Sequence, residues 1–188
     1  MSMQGWVEAL VVAPSDGPTL TNTVTATSVL PATAKVVLPA QFFDKVGKSL
    51  RMRICGRIST VVTTPGTLTF DVRFGSVVVF NGGALVLNTV AQVNATFYAD
   101  LLLTCRSIGS GTTATVLGIG TFESRAVIGS PAASAGSAGQ TLMPDTAPVV
   151  GTGFDSTTSQ TVDVFGTWSV ASASNSVTVH QYMIEAVN

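Results

Sequence analysis

Charge is what this chain has least of. Asp, Glu, Lys and Arg make up 10% of its 188 residues, against about 25% in an ordinary globular domain. It has one histidine, His180, and two cysteines, Cys55 and Cys105. With so few imidazoles and thiols, a zinc or transition-metal centre is hard to assemble. No G-x-S-x-G run is present to carry a nucleophilic serine on a strained turn. Glycines in "GIGTFES" follow a strand pattern, but no helix pattern comes after them to offer its N-terminus to a phosphate. Ten acidic residues form no tight cluster flanked by aromatics, so a glycosidase pair has no support. The expectation is no enzyme, no cofactor and no metal. There is no Lys/Arg block interleaved with aromatics, which argues against nucleic acid. No run of 18 apolar residues exists, which argues against a membrane helix. "MSMQGWVEALVVAP" lacks the early cation of a secretory signal, and Glu8 interrupts its apolar run.

Thr, Ser, Ala, Val and Gly fill the space that charge leaves, and 46% of the residues are hydrophobic. That is neither the composition of a disordered chain nor of one that stays soluble through charge. A surface so lightly charged is suited to being covered by sister subunits or a larger assembly. A single domain of this length buries about 70% of its unfolded surface and needs no disulfide or metal. The two cysteines are expected as free thiols within strands, a Cys55–Cys105 bridge being the alternative.

Helical periodicity is nearly absent. The clearest alternation is "LTFDVRF", where Leu68, Phe70, Val72 and Phe74 share one face. Phe97, Ala99, Leu101, Leu103 and Cys105 form a second such row, and Val162, Val164 and Trp168 a third. In "VVVFNGGALVL" an Asn-Gly-Gly turn between two short strands is expected. The one expected helical turn is "LPAQFFDKVGKSL", with Pro39 suited to its start and Gly47 to its stop. Loop aspartates in "SDGP" and "GFDS" are read as turn formers rather than calcium ligands. Eight to ten strands joined by short turns predict an all-β, antiparallel, jelly-roll-like sandwich. Residues 1–37 are expected to be an N-terminal strand and docking arm. Residues 38–188 form the sandwich, with a flexible Ala/Gly/Ser loop at 129–140.

Within "SLRMRICGRIST" the residues Arg51, Arg53 and Arg57 alternate with Leu50, Met52, Ile54 and Ile58, so a strand sorts cations from apolar side chains. All nine basic residues lie at or before Arg125, whereas Asp145, Asp155, Asp163 and Glu185 stand in a region without any. The arginines can pair with acids such as Asp155, Asp163 or Glu185 on a neighbouring copy, with Asp71 and Arg73 extending their face. They can equally pair with cross-strand acids of the same chain. A small anionic ligand is the third reading.

The runs "LPAQFFDKVGKSLRMRICGRIST", "TPGTLTFDVRFGS", "LTCRSIG" and "FDSTTSQTVDVFGTWSVASASNSVTVHQYMIEAV" resemble small structural proteins of tailed bacteriophages and prophages. The resemblance spans most of residues 38–124 and 153–188. It implies a jelly-roll-like domain, commonly a homotrimer, mounted on the virion and made in the host cytoplasm. It implies no catalytic residues. The function expected from it is a capsid decoration or cement protein that contacts the major capsid protein and clamps the shell by multivalent contacts. The alternative is a tail-fibre or head-fibre module recognising host carbohydrate, for which few aromatics are available to stack on sugars.

Overall fold

The computed structural model describes residues 7–128 and 139–187. Twelve strands run in the order β1 (Val7–Val12), β2 (Leu20–Thr21), β3 (Thr27–Ser28), β4 (Val37–Leu38), β5 (Ser49–Thr60), β6 (Thr67–Phe74), β7 (Val77–Val86), β8 (Gln92–Ser107), β9 (Thr115–Glu123), β10 (Gln140–Met143), β11 (Gln160–Trp168) and β12 (Ser176–Val187). They form two antiparallel sheets. The larger has the order β1-β12-β5-β8-β9-β10, with β2 also on β12; the smaller has β3-β11-β6-β7, with β4 also on β11. The fold is an all-β, jelly-roll-like sandwich.

The period-two rows close the core. Leu68, Phe70, Val72 and Phe74 are buried on β6, opposite the buried row from Phe97 to Cys105 on β8. Phe70, Phe97 and Phe122 stack across the two sheets, with ring centroids 5.2 Å apart for Phe97 and Phe122 and 5.8 Å for Phe70 and Phe122. A second knot joins Phe43, Phe74 and Phe154. Each buried ring contributes about 2–3 kcal/mol of transfer free energy. Trp168 fills the core beside β2 and donates its indole N–H to the Leu20 carbonyl at 3.3 Å. Tyr182 is buried in the same interior, and burial pushes its phenol far above the ordinary range.

Four local expectations are corrected. Residues 39–47 make bends and turns rather than a helical turn, and the one 3-10 turn is at Ala32–Ala34. Phe42 and Phe43 are drawn into contact with the aromatic knot instead. Asn81-Gly82-Gly83 is not a hairpin turn: β7 runs straight through it, and the pairing with β6 shifts register there. Gly83 takes φ +75° within that bulge, a conformation that glycine tolerates best. Residues 7–37 are no separate arm. β1 lies along the edge of the larger sheet, β2 and β3 pair with β12 and β11, and Leu20, Val29, Leu30 and Ala34 belong to the core. Finally, a bulge at His180 inverts the facing of β12, so that Val177 and Val179 point inward before it and Tyr182, Ile184 and Ala186 after it. His180 sits at the bulge with Nδ1 2.9 Å from Asp16 Oδ1. Of the Ala/Gly/Ser loop only Gly139 and Gln140 are described, and Gln140 opens β10.

Candidate protein-contact face

The outer surface of the larger sheet is built by β5. Leu50, Met52, Ile54 and Ile58 turn into the core, so Arg51, Arg53, Cys55 and Arg57 must turn out. Its neighbours β12 and β8 place one carboxylate each beside the first two arginines. Glu185 pairs in register with Arg51, and Asp100 with Arg53. The ion pairs, however, run diagonally. Arg51 grips Asp100 with two donors, Nε at 3.0 Å from Oδ1 and Nη2 on Oδ2. Arg53 Nη2 donates to Glu185 Oε2 at 3.1 Å. Each arginine thus stands between both acids, and two cations on one strand are balanced by two anions on its flanks.

The chemistry of this group is consistent with its geometry. The Arg51 hydrogen bond holds the Asp100 carboxyl below the usual carboxylate range, and the same bond pushes Arg51 further up. Tyr98 donates its hydroxyl to Asp100 at 3.2 Å; burial first, then the Asp100 charge, pushes that phenol up. Burial likewise pushes the Cys55 thiol up, which keeps it protonated and unreactive. No free anion-binding charge is left over from the four: the network is neutral and satisfied, apart from the buried Arg53 Nε–H, which has no acceptor.

Around this network the sheet forms a shallow trough of about 740 Å³, open to solvent. Its rim is aliphatic. Val7, Leu102, Ile119 and Leu142 stand 46–62% exposed, contributed by β1, β8, β9 and β10. A second hollow of about 490 Å³ continues past Arg53 toward Tyr98, Cys55 and Met183. No Trp or Phe lines the trough, so it lacks the flat stacking platform that sugar rings use.

Beyond Cys55 the same face changes character. Arg57 is exposed, opposite Thr178 on β12 and Thr96 on β8, and Thr178 is covered by a hydroxyl contact with Thr19 at 2.8 Å. The sheet then ends in a cluster of loops held by one residue that sequence reasoning passed over. Asn175 is fully buried; its side-chain oxygen accepts Val61 N–H at 2.9 Å and its amide donates to the carbonyls of Pro65 and Val170. A single polar residue thereby ties the β5–β6 loop to the β11–β12 loop. Its signal in the sequence is one asparagine in a run of serines and alanines, which is indistinguishable from an exposed turn.

The other expected residues go elsewhere. Asp163 lies on the smaller sheet, bonded to Lys35 at 2.7 Å and to the Ser28 hydroxyl at 2.8 Å. Asp155 caps its own turn, accepting the N–H of Thr157 at 2.8 Å and its hydroxyl. Arg73 and Asp71 do not extend the arginine face, because the chain crosses between sheets from β5 to β6. Arg73 instead grips Asp71 at 2.6 Å and lies over the Phe165 ring. Of the three acids expected opposite the arginines, Glu185 alone is there, and it belongs to the same chain. Cys55 faces outward and Cys105 inward, so both are free thiols. Among the described residues no group of three or more His, Cys, Asp or Glu is placed to hold a metal ion, and no helix is long and apolar enough to cross a membrane.

Fold and face together define a class: a β-sandwich whose best-formed surface feature is a neutral, aliphatic-rimmed trough. Comparison with known proteins leaves the description at that level. No family model and no curated protein matches the chain. Among solved structures, the CBM2 module of the evolved Dit of Lactobacillus casei BL23 phage J-1 aligns over 99% of this chain and 98% of its own, at 8% identity and TM-score 0.37. Winged bean acidic lectin, solved with methyl-α-D-galactose, aligns over 98% of this chain and 100% of its own, at 9% identity and TM-score 0.33. Likeness at this level transfers no function.

Proposed function

We propose that this chain is a structural protein of a tailed-phage virion, acting as a decoration or cement protein on the head surface through protein–protein contacts. The observation that carries the reading is the trough. Its four charges are already paired within the chain, and its rim is exposed aliphatic side chains. Covering a charge that has a partner costs less than covering a lone one, and covering the rim returns about 25 cal/mol per Å² of apolar area. A surface of this kind is prepared for another protein rather than for an anion or a sugar. The resemblance of the sequence to virion proteins supplies the setting, including assembly in the host cytoplasm and a homotrimeric state. The major capsid protein is the partner proposed for the outward-clamping role. Repetition of weak contacts at symmetry-related positions makes the assembled whole bind far more tightly than one copy.

Copy number in purified virions, measured by quantitative mass spectrometry against the major capsid protein, tests this. Abundance comparable to the capsid subunits is the expected result. A handful of copies per particle moves the protein to the tail or a unique vertex and overturns the decoration reading.

A further inference from the structure

The end of the sandwich farthest from the trough is charge-poor to an unusual degree. Three of the loops gathered there come from stretches without one Asp, Glu, Lys or Arg, namely residues 17–34, 58–70 and 74–99. The fourth, the β11–β12 loop, lies in the stretch 164–184, whose one titratable side chain of any basic kind is His180, well past the loop. Loops are where a protein ordinarily puts its charge, because they face water. Here they present valine instead: Val24, Val62, Val90 and Val93 stand 54–71% exposed. The tip is also held in shape. Thr63 takes φ +73°, a costly conformation for a β-branched residue, and its N–H donates to the Thr89 carbonyl at 2.8 Å, locking Val62 and Val90 side by side. Asn175 braces the same loop from beneath.

We infer that this valine tip of one copy seats in the trough of the next, joining copies head to tail. The inference rests on reading the trough as a protein contact, and it names the occupant. Three properties match. The trough is concave and the tip protrudes, whereas two troughs set face to face leave a void between them. The trough has no unpaired charge among its four, and the tip brings none, so neither partner buries an uncompensated ion. Both contacts are aliphatic, Leu, Ile and Val against Val. Because two different patches of the chain meet, the contact is heterologous, and repeating it closes a ring or extends a filament.

Two double variants of the full chain separate the halves of the contact: Val62→Asp with Val90→Asp at the tip, and Ile119→Asp with Leu142→Asp at the trough. All four positions are solvent-facing, and matching thermal unfolding of the variants with the parent chain verifies that they fold. Sedimentation velocity across a concentration series is the readout. The parent chain is expected to associate, and each variant to be monomeric or weakened by about tenfold or more, as burial of an unpaired carboxylate demands. An equal mixture of the two variants retains one intact tip and one intact trough, so it is expected to give a dimer and nothing larger. A parent chain that stays monomeric throughout overturns the inference. So does association that survives both variants, or a mixture that recovers no dimer, which marks a contact between like patches. None of these outcomes changes the virion copy number, so failure here and failure of the virion reading are told apart.

Discussion

The trough and the loop end reach low surface charge by opposite routes. The trough contains two arginines and two carboxylates, and cancels them by pairing across β12, β5 and β8. The loop end contains almost no charge to cancel, and satisfies its backbone through the buried side chain of Asn175. The first route leaves a surface sensitive to pH and salt; the second leaves one sensitive to the loss of a single amide. Both lower the cost of taking the surface out of water, so a chain with 10% charged residues has arranged the scarcity instead of merely suffering it.

The largest expected effect strikes both regions at once. Deleting residues 1–37 removes β1 from the trough and the 17–26 loop from the far end, along with the core side chains Leu20, Val29, Leu30 and Ala34. Losing several fully buried aliphatics costs about 2–5 kcal/mol each, so the truncated chain is expected to be unfolded by circular dichroism. A folded, cooperative truncation product breaks the assignment of this segment to the sandwich. Next comes Asn175→Ala, which touches the loop end alone. It leaves the Val61 N–H and the Pro65 carbonyl without their partner, and the expected loss is about 2–4 kcal/mol in urea unfolding. A loss below half a kcal/mol removes Asn175 as the brace.

Smaller effects belong to the trough. A double-mutant cycle on Arg51 and Asp100 is expected to give a coupling of about 0.5–1 kcal/mol, since both side chains are partly open to water. Coupling measured between Arg51 and Glu185, which face each other in register, sharpens the picture further: a non-zero value establishes the four charges as one network. The smallest effect is in pH. The folded state holds Asp100 below its ordinary value, so its contribution is complete above the unfolded carboxylate value of about 3.9. It shrinks as pH falls through the folded value, because the unfolded chain then binds the proton first. Asp100→Asn is therefore expected to flatten the acid limb of the stability curve below about pH 4 and to leave its shape above pH 5 unchanged. An identical acid limb in both proteins shows that the pair does not act in the folded state.

Period two made most of the sandwich readable. The inward rows on β5, β6 and β8 are all where alternation placed them, because a side chain on a strand has only two directions to choose from. The failures have a common source in local exceptions. A bulge at His180 inverted the facing of β12, and a bulge at Asn81–Gly83 imitated a turn, since both spend glycine, asparagine or an extra residue in the way a hairpin does. Phe42, Phe43 and Val46 imitated a helix by spacing alone, while the aromatics were in fact destined for a knot with Phe74 and Phe154. Residues 7–37 read as an appendage because their pairing partners, β11 and β12, lie more than a hundred residues away.

Alternation alone determined that Arg51, Arg53 and Arg57 share a face, that they point away from Leu50, Met52, Ile54 and Ile58, and that the chain is all-β. Which acids meet those arginines was decided by tertiary structure. Strand order brought Asp100 and Glu185 to either side of β5 and left Asp163 on the other sheet and Asp155 in its own turn. The reason is physical: side-chain direction along a strand is a local property with period two, whereas the neighbour across a sheet depends on how distant segments share one core.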